Sequence, residues 1–62
     1  MCDVNVFIVK NGVEEKVLDN VDLIEEVADG MRLVNIFGEE QTLKAKMIHY
    51  NNSDKRMVFQ PV

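Results

Sequence analysis

The chain is poor in the residues that staple or punctuate small proteins: its 62 residues include one cysteine, one proline, three glycines, one histidine and no tryptophan. A lone cysteine, Cys2, rules out an intrachain disulfide, and an unpaired thiol in so short a chain fits a reducing compartment, so a cytoplasmic protein is expected. No window approaches the roughly 20 apolar residues that cross a bilayer. The opening Met1-Cys2-Asp3-Val4 also has no basic n-region, and neither export nor membrane insertion is expected. P-loop, GxGxxG, GxSxG, HExxH and CxxC motifs are all missing, and no serine is supported by a histidine and an acid. A catalyst is therefore not expected.

Eleven acidic residues against seven basic give a net charge of −4, a field that repels phosphate backbones and makes nucleic acid an unfavoured partner. A chain this short buries only about 60% of the surface that its unfolded form exposes. With disulfides excluded, self-association is the staple left, and a homodimer is expected. Val4 to Val9 is rich in β-branched residues and reads as a strand buried on both sides. Asn11-Gly12 predicts a type I′ hairpin turn, and Asp29-Gly30 predicts a second tight turn. Between them, Glu14 to Leu18 and Val21 to Val27 read as two short strands around a kink at Asp19-Asn20. A helix over Val21 to Ala28, capped by Asp19 or Asn20, competes with the second of these. Met31 to Phe37, Leu43 to Ile48 and Met57 to Phe59 complete the strands, with turns at Gly38-Glu39-Glu40 and Asn51 to Asp54. Pro61 would stop further ladder bonding. About six short strands at near-even spacing, all in one domain over residues 1–62, predict an all-β meander closing into an SH3-like or Sm-like barrel.

Few side chains can carry chemistry. A cysteine at the N-terminus can chelate a soft or borderline metal through its thiolate and neighbouring backbone nitrogen, with or without Met1 in place. Such donors suit Ni(II) and Cu(II) better than Mg²⁺ or Ca²⁺. The plainer reading of Cys2, a small buried hydrophobe opening a strand, is the commoner one on spacing alone. One chain has too few soft ligands, and a two-fold dimer bringing two Cys2 residues to its axis would double the set. His49 is a further ligand candidate, although a lone histidine is more often a surface or hydrogen-bonded residue. Glu39 and Glu40 read as turn and solubility residues. Lys44, Lys46, Lys55 and Arg56, with Phe7, Phe37 or Tyr50, would make a nucleic-acid platform if they shared an edge; lysines that discourage edge-to-edge aggregation are the simpler reading.

The opening Met1-Cys2, the stretch Val21-Asp22-Leu23-Ile24-Glu25 and the block from Asp29 to Glu39 (DGMRLVNIFGE) together resemble the CooT family, and the resemblance covers nearly the whole chain. These are small nickel-binding accessory proteins associated with carbon monoxide dehydrogenase maturation, and the wider family is often labelled RNA-binding. The resemblance implies a β-rich homodimer in which Cys2 binds Ni(II) together with its symmetry mate, as a metallochaperone or nickel store for a client such as carbon monoxide dehydrogenase. Only Cys2 carries over as a site residue. The alternative, from another class, is a small β-barrel module that binds RNA or protein without a metal.

Overall fold

The computed structural model describes residues 3–62. Six strands follow in order: β1 (Val4–Lys10), β2 (Val13–Val27), β3 (Gly30–Asn35), β4 (Glu40–Leu43), β5 (Ala45–Asn51) and β6 (Arg56–Pro61). There is no helix among the described residues. The all-β expectation holds.

The first hairpin forms as its turn residues dictate. Asn11 (φ 53°) and Gly12 (φ 79°) both take the positive φ of a type I′ turn, and Lys10 pairs with Val13. The second turn sits one residue earlier than expected: Val27 pairs with Gly30, so Ala28-Asp29 make the loop and Gly30 opens β3. Gly30 is required by packing as well as by its φ of 135°, since a Cβ there would lie 2.1 Å from the Leu43 carbonyl oxygen.

The expected kink at Asp19-Asn20 is real, but it bends one strand instead of separating two. Asn20 adopts φ 52°, and the β1–β2 register slips between Val4 and Val6. It slips again between Val6 and Phe7, and the β2–β3 register slips between Val21 and Leu23. The residue at the bend, Val21, pairs with Val4 on one side and Asn35 on the other. The first half of β2 thus pairs with β1 and the second with β3. Those ladders overturn the competing helix over Val21 to Ala28, because paired backbone groups outweigh the helix propensity of Glu25, Glu26 and Ala28.

The expected barrel and the full meander both need correction. Strands β1 to β4 do form an antiparallel meander, but β6 lies parallel to β1, giving the order β4-β3-β2-β1-β6-β5. The sheet has two edges, β4 and β5, and is not closed. The cause is local. β4 has four residues, all engaged with β3, and the chain then bends at Lys44 so that β5 leaves β4 instead of pairing with it. β5 turns back through Asn51–Lys55 to form a hairpin with β6. Pro61 ends β6, although the ladder gains one more bond when the Val62 N–H donates to the Lys44 carbonyl (3.2 Å).

The sheet curls over a small core of Val4, Val6, Leu18, Val21, Leu33, Ala45 and Phe59, with Ile8, Val17, Ile24, Met31, Leu43 and Met57 packed against it. Val58 is of opposite phase to Phe59 and is buried on the outer face, where it pairs with Phe7. Arg56 lies over the Phe7 ring, 4.3 Å from its centroid, and reaches Glu14 in an ion pair that ties β6 to β2 across β1.

Candidate functional site

One end of the sheet collects the segments that surround the start of β1. Val4, Val21 and Asn35 form a row across β1, β2 and β3, and Asn5, Arg56 and Asn51 form the adjoining row across β1, β6 and β5. The bend at Asn20, the β3–β4 turn and the β5–β6 turn therefore all lie at this end. Asn5 N–H donates to the Lys55 carbonyl (2.8 Å), and Lys55 Nζ stands 3.9 Å from Asp3 Oδ1. Cys2, the predicted metal ligand, lies outside the described residues; its chain neighbour Asp3 stands at this end.

The most highly organised part of the rim is the β3–β4 turn, and sequence reading missed it by extending the strand through Phe37. Gly38 N–H donates to the Asn35 carbonyl (3.0 Å), closing a four-residue turn, and Gly38 takes φ 83°. Asn35 N–H donates to the Glu39 carbonyl (3.0 Å). The Asn35 side chain is the keystone: its Oδ1 accepts from the N–H groups of Phe37 (3.1 Å) and Glu39 (2.8 Å), while its Nδ2 donates to Glu39 Oε1 (2.7 Å). Ile36 N–H donates to the Asn20 carbonyl (2.9 Å), fastening the turn to the bend of β2. The signal was present as Asn-Ile-Phe-Gly, an asparagine that can bond the backbone two residues on and a glycine suited to positive φ.

Glu39 lies in the turn as expected, whereas Glu40 opens β4 opposite Val34, and both have specific duties. Glu39 braces Asn35, and Glu40 Oε2 accepts from Arg32 Nε (2.5 Å) while Glu25 Oε1 accepts from Arg32 Nη1 (2.6 Å). The Glu40 hydrogen bond, followed by that of Glu25, raises the Arg32 pKa further above its ordinary value and keeps it a fixed cation.

The other candidates are dispersed. His49 is exposed on edge strand β5, at a bulge opposite Val58, and β5 is two strand spacings, about 10 Å, from β1. No group of three or more His, Cys, Asp or Glu side chains arranged to hold a metal exists among the described residues. The supposed basic edge is divided. Lys46 pairs with Gln60 at one end of β5 and Arg56 with Asn51 at the other, about 17 Å apart at the strand rise. Arg56 and Lys55 are already engaged with Glu14 and Asp3. Phe7 lies beneath Arg56, Phe37 is in the β3–β4 turn and Tyr50 is on β5, so the three aromatics do not form one platform.

No curated protein matches the chain significantly. Among solved structures, the crystal structure of a candidate CooT from Carboxydothermus hydrogenoformans superposes with a TM-score of 0.92 at 33% sequence identity, covering 98% of this chain and 98% of that one. The family model described as CO dehydrogenase accessory protein CooT matches residues 1–59, a span that includes Cys2 and the braced turn. On both counts the chain belongs to the CooT family of CO dehydrogenase accessory proteins.

Proposed function

We propose that this accessory protein is a nickel carrier: two copies of the chain hold one Ni(II) between their Cys2 thiolates and adjacent backbone nitrogens, and deliver it to carbon monoxide dehydrogenase during its maturation. The observation that carries the reading is the family match, which runs through Cys2 and joins the chain to accessory proteins of that enzyme. The donor chemistry agrees with it, since thiolate and backbone nitrogen select a borderline metal over Mg²⁺ or Ca²⁺. We place the protein in the cytoplasm, where a thiol stays reduced. It performs no catalytic step; nickel is its cargo.

The test is titration of the reduced protein with Ni(II), followed by absorbance. Thiolate-to-nickel charge-transfer bands saturating at one metal per two chains, and lost in Cys2→Ser with the β-sheet circular dichroism intact, are expected. Equal nickel binding by Cys2→Ser would overturn the proposal.

A further inference from the structure

We propose that Asn11 is a self-modification site, at which the protein converts its own asparagine to aspartate and isoaspartate each time the tip of the β1–β2 hairpin opens. The inference is independent of the nickel reading.

The chemistry needs an asparagine whose side-chain carbon can meet the backbone nitrogen of the next residue. That nitrogen gives its proton to solvent base and attacks Cγ. A C–N bond forms, the bond to the side-chain nitrogen breaks, ammonia leaves and a succinimide ring closes. Water then opens the ring. Cleavage between Cγ and the Gly12 nitrogen gives aspartate; cleavage between the backbone carbonyl carbon of residue 11 and that nitrogen gives isoaspartate, with the chain rerouted through Cβ and Cγ. One water is consumed and one ammonia released, and no oxidant or reductant is involved.

Of the six asparagines, five are held back by the structure. Asn35 is locked by its three side-chain hydrogen bonds. Asn51 Oδ1 accepts from the Asp54 N–H (3.1 Å), and Asn52 Oδ1 accepts from the Tyr50 hydroxyl (3.0 Å). Asn5 and Asn20 precede Val6 and Val21, β-branched residues packed in the core. Asn11 differs on each count. It is exposed, its side chain has no hydrogen bond among the described residues, and it precedes Gly12, where even a Cβ would meet nothing within 4 Å. A cleft lined by Val9, Lys10, Asn11, Gly12, Gln60 and Pro61 brings water to both residues. Asp29-Gly30, which could close the same ring by losing water, is clamped where Gly30 packs on the Leu43 carbonyl.

The turn itself is the gate. In a type I′ turn the ψ angle of the first central residue is about +30°, which carries the Gly12 nitrogen to the far side of the Cα–C bond from Cβ. Attack waits until the turn opens. That opening is local, because the ladder ends at the pair Lys10–Val13, both exposed, and no buried side chain holds it shut. Aspartate suits the re-formed turn, whereas isoaspartate adds a backbone carbon to a two-residue loop and spoils its register. The damage is remote from the start of β1, six residues or about 20 Å away at the strand rise.

The experiment incubates the reduced full chain in warm, mildly alkaline buffer, folded and in urea, and follows each asparagine by peptide mass spectrometry, with Asn11→Gln alongside. In the folded chain, Asn11 should convert at least about tenfold ahead of every other asparagine, as the spread of local opening energies implies, and more slowly than it does in urea. Part of the product should resist an aspartate-specific protease, and the isoaspartate chain should melt below Asn11→Asp. Asn11→Gln should gain no mass at position 11 over the same interval, since its six-membered ring closes far more slowly. Asn11 intact in the folded chain, or conversion spread evenly over the asparagines, overturns the proposal. Equal rates at Asn11 with and without urea overturn the gate.

Discussion

Truncating Asn35 to alanine should be among the most damaging single polar-to-apolar changes in the domain. The side chain is 2% exposed and makes three hydrogen bonds, accepting from Phe37 and Glu39 N–H and donating to the Glu39 carboxylate. Each such bond contributes about 0.5–1.5 kcal/mol net. Because Phe37 and Glu39 are exposed, water can replace part of what is lost, so the total should fall at about 2–4 kcal/mol. A domain of this size is stable by only about 3–9 kcal/mol, so the loss is a large share. It corresponds to a fall in Tm of roughly 10–30 °C. Urea unfolding at fixed protein concentration reads this as a lower midpoint with an unchanged slope. Glu39→Gln keeps an acceptor at the same place and should remain within about 0.5 kcal/mol of wild type. An Asn35→Ala midpoint indistinguishable from wild type would refute the keystone role.

Further outcomes follow from the same structure. Gly30→Ala should prevent soluble expression or cost more than about 3 kcal/mol, because the added methyl meets the Leu43 carbonyl. Gly12→Ala has open space around it and only its φ of 79° to oppose, so roughly 1 kcal/mol is expected; equal effects at the two glycines in thermal melts would contradict this. Arg56→Gln removes both the cation over Phe7 and the Glu14 ion pair and should cost about 1–1.5 kcal/mol, with part of the loss disappearing when wild type and variant are compared in 1 M salt. Nickel affinity should fall on acidification, since a free thiol titrates near pH 8.5 and must be deprotonated to bind; below that point two thiolates give up to about a hundredfold loss per pH unit. Affinity flat between pH 8 and 6 in competition with a chelator would contradict thiolate ligation.

What could be read from the chain before folding was mainly local. The Asn11-Gly12 hairpin is written in two residues, and β1, β3 and β6 follow from alternation and turn chemistry, whereas the expected pair Glu14 to Leu18 and Val21 to Val27 is the single strand β2 and the expected strand Leu43 to Ile48 is broken at Lys44 between β4 and β5. The phase of alternation in β2 was not legible. Val21 and Leu23 share parity, yet the register slip between them leaves Leu23 exposed and turns Ile24 toward the core opposite Leu33. A bulge of this kind shifts every side chain beyond it to the other face. The parallel pairing of β6 with β1 was equally hidden, because it depends on a corner at Lys44 and not on any turn signal. That corner also leaves the sheet open. The basic residues looked clustered because Lys44, Lys46, Lys55 and Arg56 are close in sequence, but the β5–β6 hairpin sends them to opposite ends. Asn35 was passed over because a polar residue within an alternating strand reads as a solvent-facing position, whereas here it is buried with both its amide oxygen and its amide nitrogen hydrogen-bonded. Cys2 stood out by chemistry alone, as the sole thiol in the chain.

The sharing of one nickel ion by two chains is tested most directly by mixing wild type with Cys2→Ser under reducing conditions, loading limiting Ni(II) and weighing the intact dimers by native mass spectrometry. Nickel should reside on the wild-type homodimer, one ion per pair, and be absent from the mixed dimer that has a single thiolate. Mixed dimers carrying nickel as readily as wild-type homodimers would contradict a site built from two Cys2 residues.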